Sequence, residues 1–264
     1  MKATEIEFGK TSFCFRLCAS VFALGLFTTV AIAQDAPEGD SWKFTVAPYL
    51  WGASLSGTAA TIPGLPPVDV DASFSDILDN LSFAGMIVGN AQKGRWGITA
   101  DLQYISLENS TSDLQPLFSK ATVKAKNKIF SVLGEYKMVE APTGELWASA
   151  GARYWSVDTS LDLAAGALPA ASAGGNNSWV DPVIGLRGRL DIVDRTYLTG
   201  WAYAGGFGVG SENMADIFGG VGYKFTPAIA GEFGYRWLSV DRRSGDFKYD
   251  VEQKGLIAGL SIRF

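Results

Sequence analysis

The stretch Tyr249–Phe264, YDVEQKGLIAGLSIRF, decides the fold because its second half alternates between two kinds of residue. The apolar row consists of Leu256, Ala258, Leu260, Ile262 and Phe264. The opposite row consists of Gly255, Gly259, Ser261 and Arg263. A period of two indicates a β-strand whose two faces meet different surroundings.

The same pattern recurs along the chain and predicts ten strands. Apolar and polar residues alternate most clearly at Trp96–Leu107, Ser178–Asp191 and Ala228–Val240, whereas the two faces of the first and seventh strands stay ambiguous. The predicted strands are Trp42–Leu55, Phe83–Gln92, Trp96–Leu107, Lys124–Met138, Leu146–Asp158, Ser178–Asp191, Thr196–Gly208, Asp216–Phe225, Ala228–Val240 and Tyr249–Phe264.

Short and long connections between these strands alternate. The short ones lie at 93–95, 140–145, 193–195 and 226–227, and the long ones at 56–82, 108–123, 159–177, 209–215 and 241–248. Tight turns at one end and variable loops at the other are typical of transmembrane barrels. We therefore predict an all-β chain that forms a single antiparallel up-and-down transmembrane β-barrel at 42–264. Eight or twelve strands are alternatives to ten.

Alternation alone does not say which row faces outward. A soluble exported barrel that binds a small ligand would have the same rows with the apolar one inside. Aromatic residues near the strand ends favour the membrane, where they would form two interfacial belts. The turn-side belt would contain Trp42, Trp96, Tyr136, Tyr197, Tyr223, Phe225 and Phe264. The loop-side belt would contain Trp51, Tyr104, Tyr154, Trp179, Tyr235 and Trp237.

The N-terminus has the pattern of a secretory signal peptide. Basic residues precede an apolar stretch, Leu17–Ile32, that ends in the small-residue motif Ala31-Ile32-Ala33. We expect cleavage after residue 33, a short periplasmic lead at 34–41, and export to the bacterial outer membrane. Both cysteines, Cys14 and Cys18, fall in the removed segment, so the mature chain would have no disulfide.

Composition excludes several kinds of chemistry. The chain has no histidine, which removes histidine bases, histidine triads and histidine-ligated metals. We expect no catalysis, no cofactor and no metal site. The net charge of −5 gives no electrostatic reason to bind nucleic acid.

Several motifs resemble the small outer-membrane β-barrel superfamily of Gram-negative bacteria, and more narrowly an uncharacterised proteobacterial subgroup of it. They are Tyr49-Leu50-Trp51, 74–78 (FSDIL), 94–97 (GRWG), 181–187 (DPVIGLR), 205–211 (GGFGVGS) and 233–236 (FGYR). The resemblance implies the fold, the location in outer-membrane lipid, and no known activity. By the same resemblance, the terminal row Leu256, Ala258, Leu260, Ile262 and Phe264 is an assembly signal for the barrel-assembly machinery.

Turning the apolar row toward lipid places a nearly balanced set of charges in the lumen. The predicted set is Asp101, Glu135, Lys137, Arg153, Asp181, Arg187, Arg189, Asp191, Asp216, Lys224, Glu232, Arg236 and Arg263. A barrel of this size has little interior space, so opposite charges must pair or meet water. The set would form either a structural network or a narrow porin-like channel for small solutes.

The longest connection contains a possible short helix. Its residues would be Ser75, Asp76, Ile77, Leu78 and Leu81. Ser75 would cap it, and the helix would either fold inward as a constriction or cover the rim.

Three functions remain open. The first is an integral barrel that is structural or narrowly porin-like, and the second is a surface-interaction barrel that acts through its extracellular loops. The third is the soluble ligand-binding barrel.

Overall fold

The computed structural model describes residues 41–264. The predicted signal peptide and nearly all of the predicted periplasmic lead lie outside these residues. Within them the chain forms eleven strands and one short helix. Their bounds are β1 Lys43–Ala60, β2 Val68–Ala72, α1 Phe74–Asp79, β3 Leu81–Lys93, β4 Trp96–Thr111, β5 Phe118–Ala141, β6 Gly144–Ala165, β7 Ala171–Val193, β8 Thr196–Gly205, β9 Asn213–Lys224, β10 Ile229–Ser244 and β11 Phe247–Arg263.

Ten of the eleven strands close into an antiparallel up-and-down ring, since β2 pairs only with β1. The ring closes between β1 and β11, where Phe44 and Phe264 exchange backbone hydrogen bonds of 2.9 and 3.0 Å. The predicted up-and-down barrel of ten strands is thus confirmed. No helix in the described part of the chain has the length and apolar character needed to cross a membrane.

The strands run further toward the loop side than the sequence predicts. β5, β6 and β7 contain 24, 22 and 23 residues, whereas about 9–11 residues suffice to cross a bilayer. The predicted long connections at 108–123 and 159–177 shrink to 112–117 and 166–170. The pattern missed these extensions because small and polar residues continue a ladder in water without sorting into two faces.

One predicted strand is too long instead. β8 ends at Gly205 rather than Gly208 because the next residues turn away from the sheet. Gly206 and Gly208 adopt φ angles of +83° and +73°, in the left-handed region that glycine occupies without a steric penalty.

The apolar row faces outward, as predicted. Phe233 is 57% exposed and Leu256 is 54% exposed, whereas the inward neighbours Arg236 and Gln253 are buried. All residues of the predicted terminal row except Ala258 are large and apolar, and all face outward. Its use as an assembly signal stays a prediction.

Three aromatic residues assigned to the belts lie inside the barrel. Tyr197, Trp51 and Trp179 are 1%, 6% and 6% exposed. Each shares the inward row of its strand with polar residues, so they were misassigned by their position near a strand end. The remaining belt residues include well-exposed rings at Trp42, Trp96, Tyr136, Tyr154, Tyr223, Phe225, Tyr235 and Phe264.

The wall is irregular between β1 and β3. β1 pairs with β3 only up to Pro48 and with β2 from Leu55 onward. Proline lacks the N–H that a ladder needs. Helix α1 covers this place from outside: the ring of Phe74 lies 3.3 Å from the point that a Cβ on the outward-facing Gly52 would occupy.

The predicted loop helix exists, but two details were wrong. Its N-cap is Ser73 rather than Ser75, and Leu81 is the first residue of β3. None of its residues is buried, so it does not fold inward as a constriction. The cap belongs to Ser73 because its hydroxyl and backbone both bond Asp76, three residues on, in a capping box.

Candidate functional site

Three residues from different strands meet in the middle of the lumen and form a central ion cluster. They are Arg153 of β6, Asp216 of β9 and Arg236 of β10, with exposures of 2%, 0% and 1%. Nη2 of Arg153 lies 2.7 Å from Asp216 Oδ2. Arg236 donates two hydrogen bonds to the two carboxylate oxygens of Asp216, at 2.9 and 2.7 Å. One carboxylate therefore holds two guanidinium groups across the barrel.

Hydrogen bonds connect the central ion cluster to four further strands of the ring. Arg236 Nη1 donates to the Tyr49 hydroxyl of β1 at 3.3 Å, and this hydroxyl donates to Asp101 of β4 at 2.7 Å. Trp201 of β8 donates to Asp216 at 3.0 Å, and Arg153 donates to Ser131 of β5 at 2.8 Å. Hydrogen bonds to charged groups are the strong ones, so the network is a rigid partition.

A second ion pair lies nearer the turn side. Arg187 donates to both oxygens of Glu135, at 3.0 and 2.8 Å, and Asn90 adds a bond to Glu135 at 3.1 Å. The Arg187 guanidinium also lies 5.1 Å from the ring centre of the fully buried Trp147. Arg187 keeps 21% of its side chain exposed, so water reaches this pair.

The turn-side rim carries most of the remaining predicted charges. Asp191 accepts from Arg189 at 3.1 Å and from Lys224 at 3.0 Å, and Lys137 bonds Glu140 at 2.8 Å. Arg263 is exposed at the end of β11 and belongs to none of these clusters. Glu232 has no basic partner within 4.0 Å among residues 41–264 and accepts instead from Tyr197 at 2.7 Å.

Asp181 has a different role from the one predicted. It is fully buried and forms no ion pair in the described chain, but it accepts hydrogen bonds from the Ser211 hydroxyl at 2.8 Å and from Trp179 at 3.3 Å. The Ser211 backbone N–H also donates to it. Asp181 thus anchors the connection between β8 and β9 inside the barrel mouth.

Apolar side chains fill the lumen on the loop side of the central ion cluster. Trp155 and Trp179 stack at 5.7 Å with an interplanar angle of 9°. This loop-side core consists of Trp51, Trp155, Trp179, Leu238, Val240, Tyr249 and Val251, all buried. The interior therefore contains a layer of ion pairs and, on its loop side, a layer of apolar packing.

A cavity of about 190 Å³ lies on the turn side of the cluster. Its polar lining includes Asp101, Arg187 and Glu232, and its aromatic lining includes Trp201 and Phe218. It reaches Thr45 and Ser261, each one inward position from the exposed residues Lys43 and Arg263 at the turn-side rim. We name it the turn-side cavity.

Sequence reasoning missed the tryptophans that complete the lumen. Trp155 follows Arg153 by two residues, and Trp179 precedes Asp181 by two. Such spacing places each ring on the same inward row as a charged residue. That spacing is a usable signal for both rings, whereas nearness to a strand end wrongly assigns Trp179 to the loop-side belt.

Known proteins share the fold without close sequence similarity. The chain is similar to the outer-membrane protease OmpT of Escherichia coli, with a TM-score of 0.53 over 87% of this chain and 100% of that chain, at 12% identity. It also matches Neisserial surface protein A (TM-score 0.35, 11% identity, 85% and 100% covered) and a major outer-membrane protein of Thermus thermophilus (0.41, 13%, 85% and 100%).

No protein-family model matches the chain, and no curated protein matches it. The similarity to OmpT therefore shows the outer-membrane barrel fold alone. It bears out the predicted barrel fold, while membership of the superfamily and of the narrower subgroup stays a prediction. The outward apolar row is the surface that the predicted placement in a membrane requires.

Proposed function

We propose that this chain is an integral outer-membrane barrel with a closed lumen and a structural role, and that it is neither a porin nor an enzyme. The observation that carries the proposal is that two layers of side chains, one of ion pairs and one of apolar residues, occupy the interior. The central ion cluster joins β6, β9 and β10 through a carboxylate with no exposed surface. The loop-side core then fills the remaining path to the outside.

The polar groups of the cluster support stability rather than catalysis. A buried carboxylate that accepts bonds from two arginines and an indole has little capacity left to move a proton. The chain also has no histidine to supply a base. Hydrolytic activity on peptide or lipid substrates by the folded barrel would contradict the non-catalytic part of the proposal.

Planar-bilayer recording tests the closed lumen. We expect the refolded chain to give no reproducible single-channel current. The double variant Asp216→Ala, Arg236→Ala removes only the ion cluster and should stay silent, whereas the triple variant Asp216→Ala, Arg236→Ala, Leu238→Ala also loosens the loop-side core and should raise the frequency of open events. The variant Asp241→Ala, which disturbs only a rim pair with Arg243, is the matched control and should stay silent. A stable current through the unmodified barrel would overturn the proposal.

Fractionation tests the membrane location. The expressed chain should enter the outer-membrane fraction and need detergent for extraction. A refolded chain that stays monomeric in buffer without detergent would instead support the soluble ligand-binding barrel.

A second function is favoured by one surface feature. Lys124, Lys126 and Lys128 alternate on the outward face of β5, directly loop-side of the exposed Phe130. Lysines at this height project above the apolar band of the barrel, where a surface-interaction protein would meet acidic polysaccharide. Binding of the barrel to immobilised heparin, lost when the three lysines become glutamine, would support this role; equal binding by the variant would exclude it.

A further inference from the structure

We propose that the turn-side cavity binds a small organic cation with an apolar body, held by Glu232. This proposal goes beyond the structural role and does not depend on it, because the cavity lies on the turn side of the closure. In outer-membrane barrels the turn side is the periplasmic end.

Glu232 differs from the other carboxylates of the cavity in its partners. The other carboxylates that line the cavity, Asp101 and Asp216, lie within 3.7 and 2.7 Å of the Arg236 guanidinium. Among residues 41–264, Glu232 has no such basic partner and is held only by the Tyr197 hydroxyl, at 2.7 Å. An ionised carboxylate in a confined space is costly unless it meets water or a cation.

The space around Glu232 is open on one side. Its neighbour across the sheet on β11 is Gly259, whereas the ring of Tyr197 fills the space over its other neighbour, Gly222 on β9. On the cavity wall at β1 and β11, the residues are small too: Ala47, Gly259 and Ser261. These small residues leave room on this side of the carboxylate, and a volume of about 190 Å³ equals that of about six water molecules, since one water takes about 30 Å³.

Aromatic rings form another part of the cavity wall. The Phe218 ring lies against Gly220 and Gly234, where an added Cβ would come within 2.7 and 2.6 Å of it. Trp201 packs on Phe218 with ring centres 4.3 Å apart. A carboxylate beside aromatic rings is the combination that recognises an organic ammonium ion, because the rings attract cations and cover an apolar body.

The basic groups near the cavity do not reverse this selectivity, because they are paired or exposed. Arg187 lines the cavity but is bound by Glu135, and Arg189 and Lys224, which lie over the Tyr197 ring, are bound by Asp191. Lys43 and Arg263 lie near the mouth, but both are exposed. Exposed charges are screened by salt within about 10 Å at 0.1 M ionic strength, whereas Glu232 acts inside the cavity. Binding should consequently favour a cation over an anion of the same shape.

Calorimetric titration of the full barrel in detergent micelles tests the proposal. The probe is benzylammonium, and its anionic counterpart is benzoate. We expect saturable binding of one benzylammonium per barrel and at least about tenfold weaker binding of benzoate. Glu232→Gln keeps the shape of the side chain, and it should weaken benzylammonium binding by about tenfold or more, as expected for loss of a charge-assisted bond.

A pair of adjacent substitutions separates the cavity from the lipid surface. Ala47→Phe fills the cavity from β1 and should abolish binding, whereas Val46→Phe places the same ring on the outward face and should leave it unchanged. Gel mobility before and after heating verifies that each variant is folded. The proposal is overturned if the unmodified barrel shows no saturable binding, if benzoate binds equally well, or if Glu232→Gln binds like the unmodified chain. If the barrel conducts no current and also binds no benzylammonium, the ligand proposal fails and the proposal of a closed lumen stands.

Discussion

The loop half and the turn half of the lumen are closed by different physical means. The loop-side core packs aromatic and aliphatic side chains, as in the interior of a soluble protein. The turn half contains ion pairs around a cavity, and water reaches several of them. Apolar packing gains stability from every buried side chain, while an ion pair must first offset the loss of hydration.

This difference predicts which substitutions each half of the barrel tolerates without losing stability. The loop half should tolerate no lost volume, and the central ion cluster should tolerate no lost charge. The turn half should tolerate both better, because a charge left unpaired there can be hydrated. A ligand-binding cavity is therefore compatible with the turn half and not with the packed loop half.

The largest expected effect is that of Asp216→Asn. It removes the negative charge shared by Arg153 and Arg236 and leaves both guanidinium groups buried. Breaking a buried ion pair costs about 3–5 kcal/mol, and the shared carboxylate puts this case near the upper end. Urea unfolding in detergent, followed by tryptophan fluorescence, measures the loss.

The rim substitution Asp241→Asn provides the control for that measurement. Its partner Arg243 is 59% exposed, so the free energy of unfolding should change by less than about 1 kcal/mol. Similar losses for the two variants would contradict the central position of Asp216.

Leu238→Ala should have the next largest effect. Leu238 is buried in the loop-side core, and a Leu→Ala change in a packed interior costs about 2–5 kcal/mol. Because the central ion cluster stays in place, the variant should still conduct no current. Leu65→Ala, in the exposed connection after β1, is the control and should leave stability unchanged. A conducting Leu238→Ala barrel would show that the loop-side core alone closes the lumen.

The sequence predicted the barrel but not the division of its lumen. Period-two alternation identified all ten ring strands, and the outward row in all but the first and seventh, since each strand separates lipid from interior where it crosses the membrane. It also identified Arg153, Asp216 and Arg236 as inward charges. Which charges pair depends on contacts between different strands, as for Arg236 and Asp216, 20 positions apart, and Arg153 and Asp216, 63 positions apart, and no single-strand pattern encodes them.

The position of Tyr197 also depends on a neighbouring strand and could not be predicted from its own strand. Tyr197 was assigned to the lipid interface because it begins a strand, yet it lies inside and donates to Glu232. Its ring occupies the space above Gly222, where an added Cβ would come within 2.1 Å of it. A glycine on a neighbouring strand therefore decides the position of the tyrosine, and that neighbour is known only once the register is known.

A smaller loss is expected for Glu135→Gln in the turn half. Arg187 would lose its bidentate partner, but with 21% of its side chain exposed it can be hydrated. We expect about 1–2 kcal/mol, below the cost at Asp216, because the remaining charge is not stranded in a dry site. The same urea assay makes the comparison, and a loss equal to that of Asp216→Asn would contradict the hydrated character of the turn half.

Ser73→Ala should have a local effect only. It removes the N-cap of α1, which is worth about 1 kcal/mol to a helix. The barrel ladder does not include α1, so the global unfolding transition should not move. Hydrogen exchange of the amides at 74–80 should quicken, while Ser112→Ala, at an exposed serine in the connection after β4, should leave it unchanged. Equal exchange in both variants would contradict the assignment of the cap to Ser73.

Acid should weaken the same cap. The Ser73 hydroxyl and then the Ser73 backbone N–H donate to Asp76, and these bonds hold the pKa of its carboxyl below the usual 3.8. A lowered folded-state pKa means that the stabilisation is complete above the unfolded value and is lost as pH falls through the folded one. Exchange protection at 74–80, corrected for intrinsic rates, should hold from pH 7 to pH 5 and drop below pH 4. Asp76→Asn should show weak protection with no such drop, and a drop of equal size in that variant would place the titrating group elsewhere.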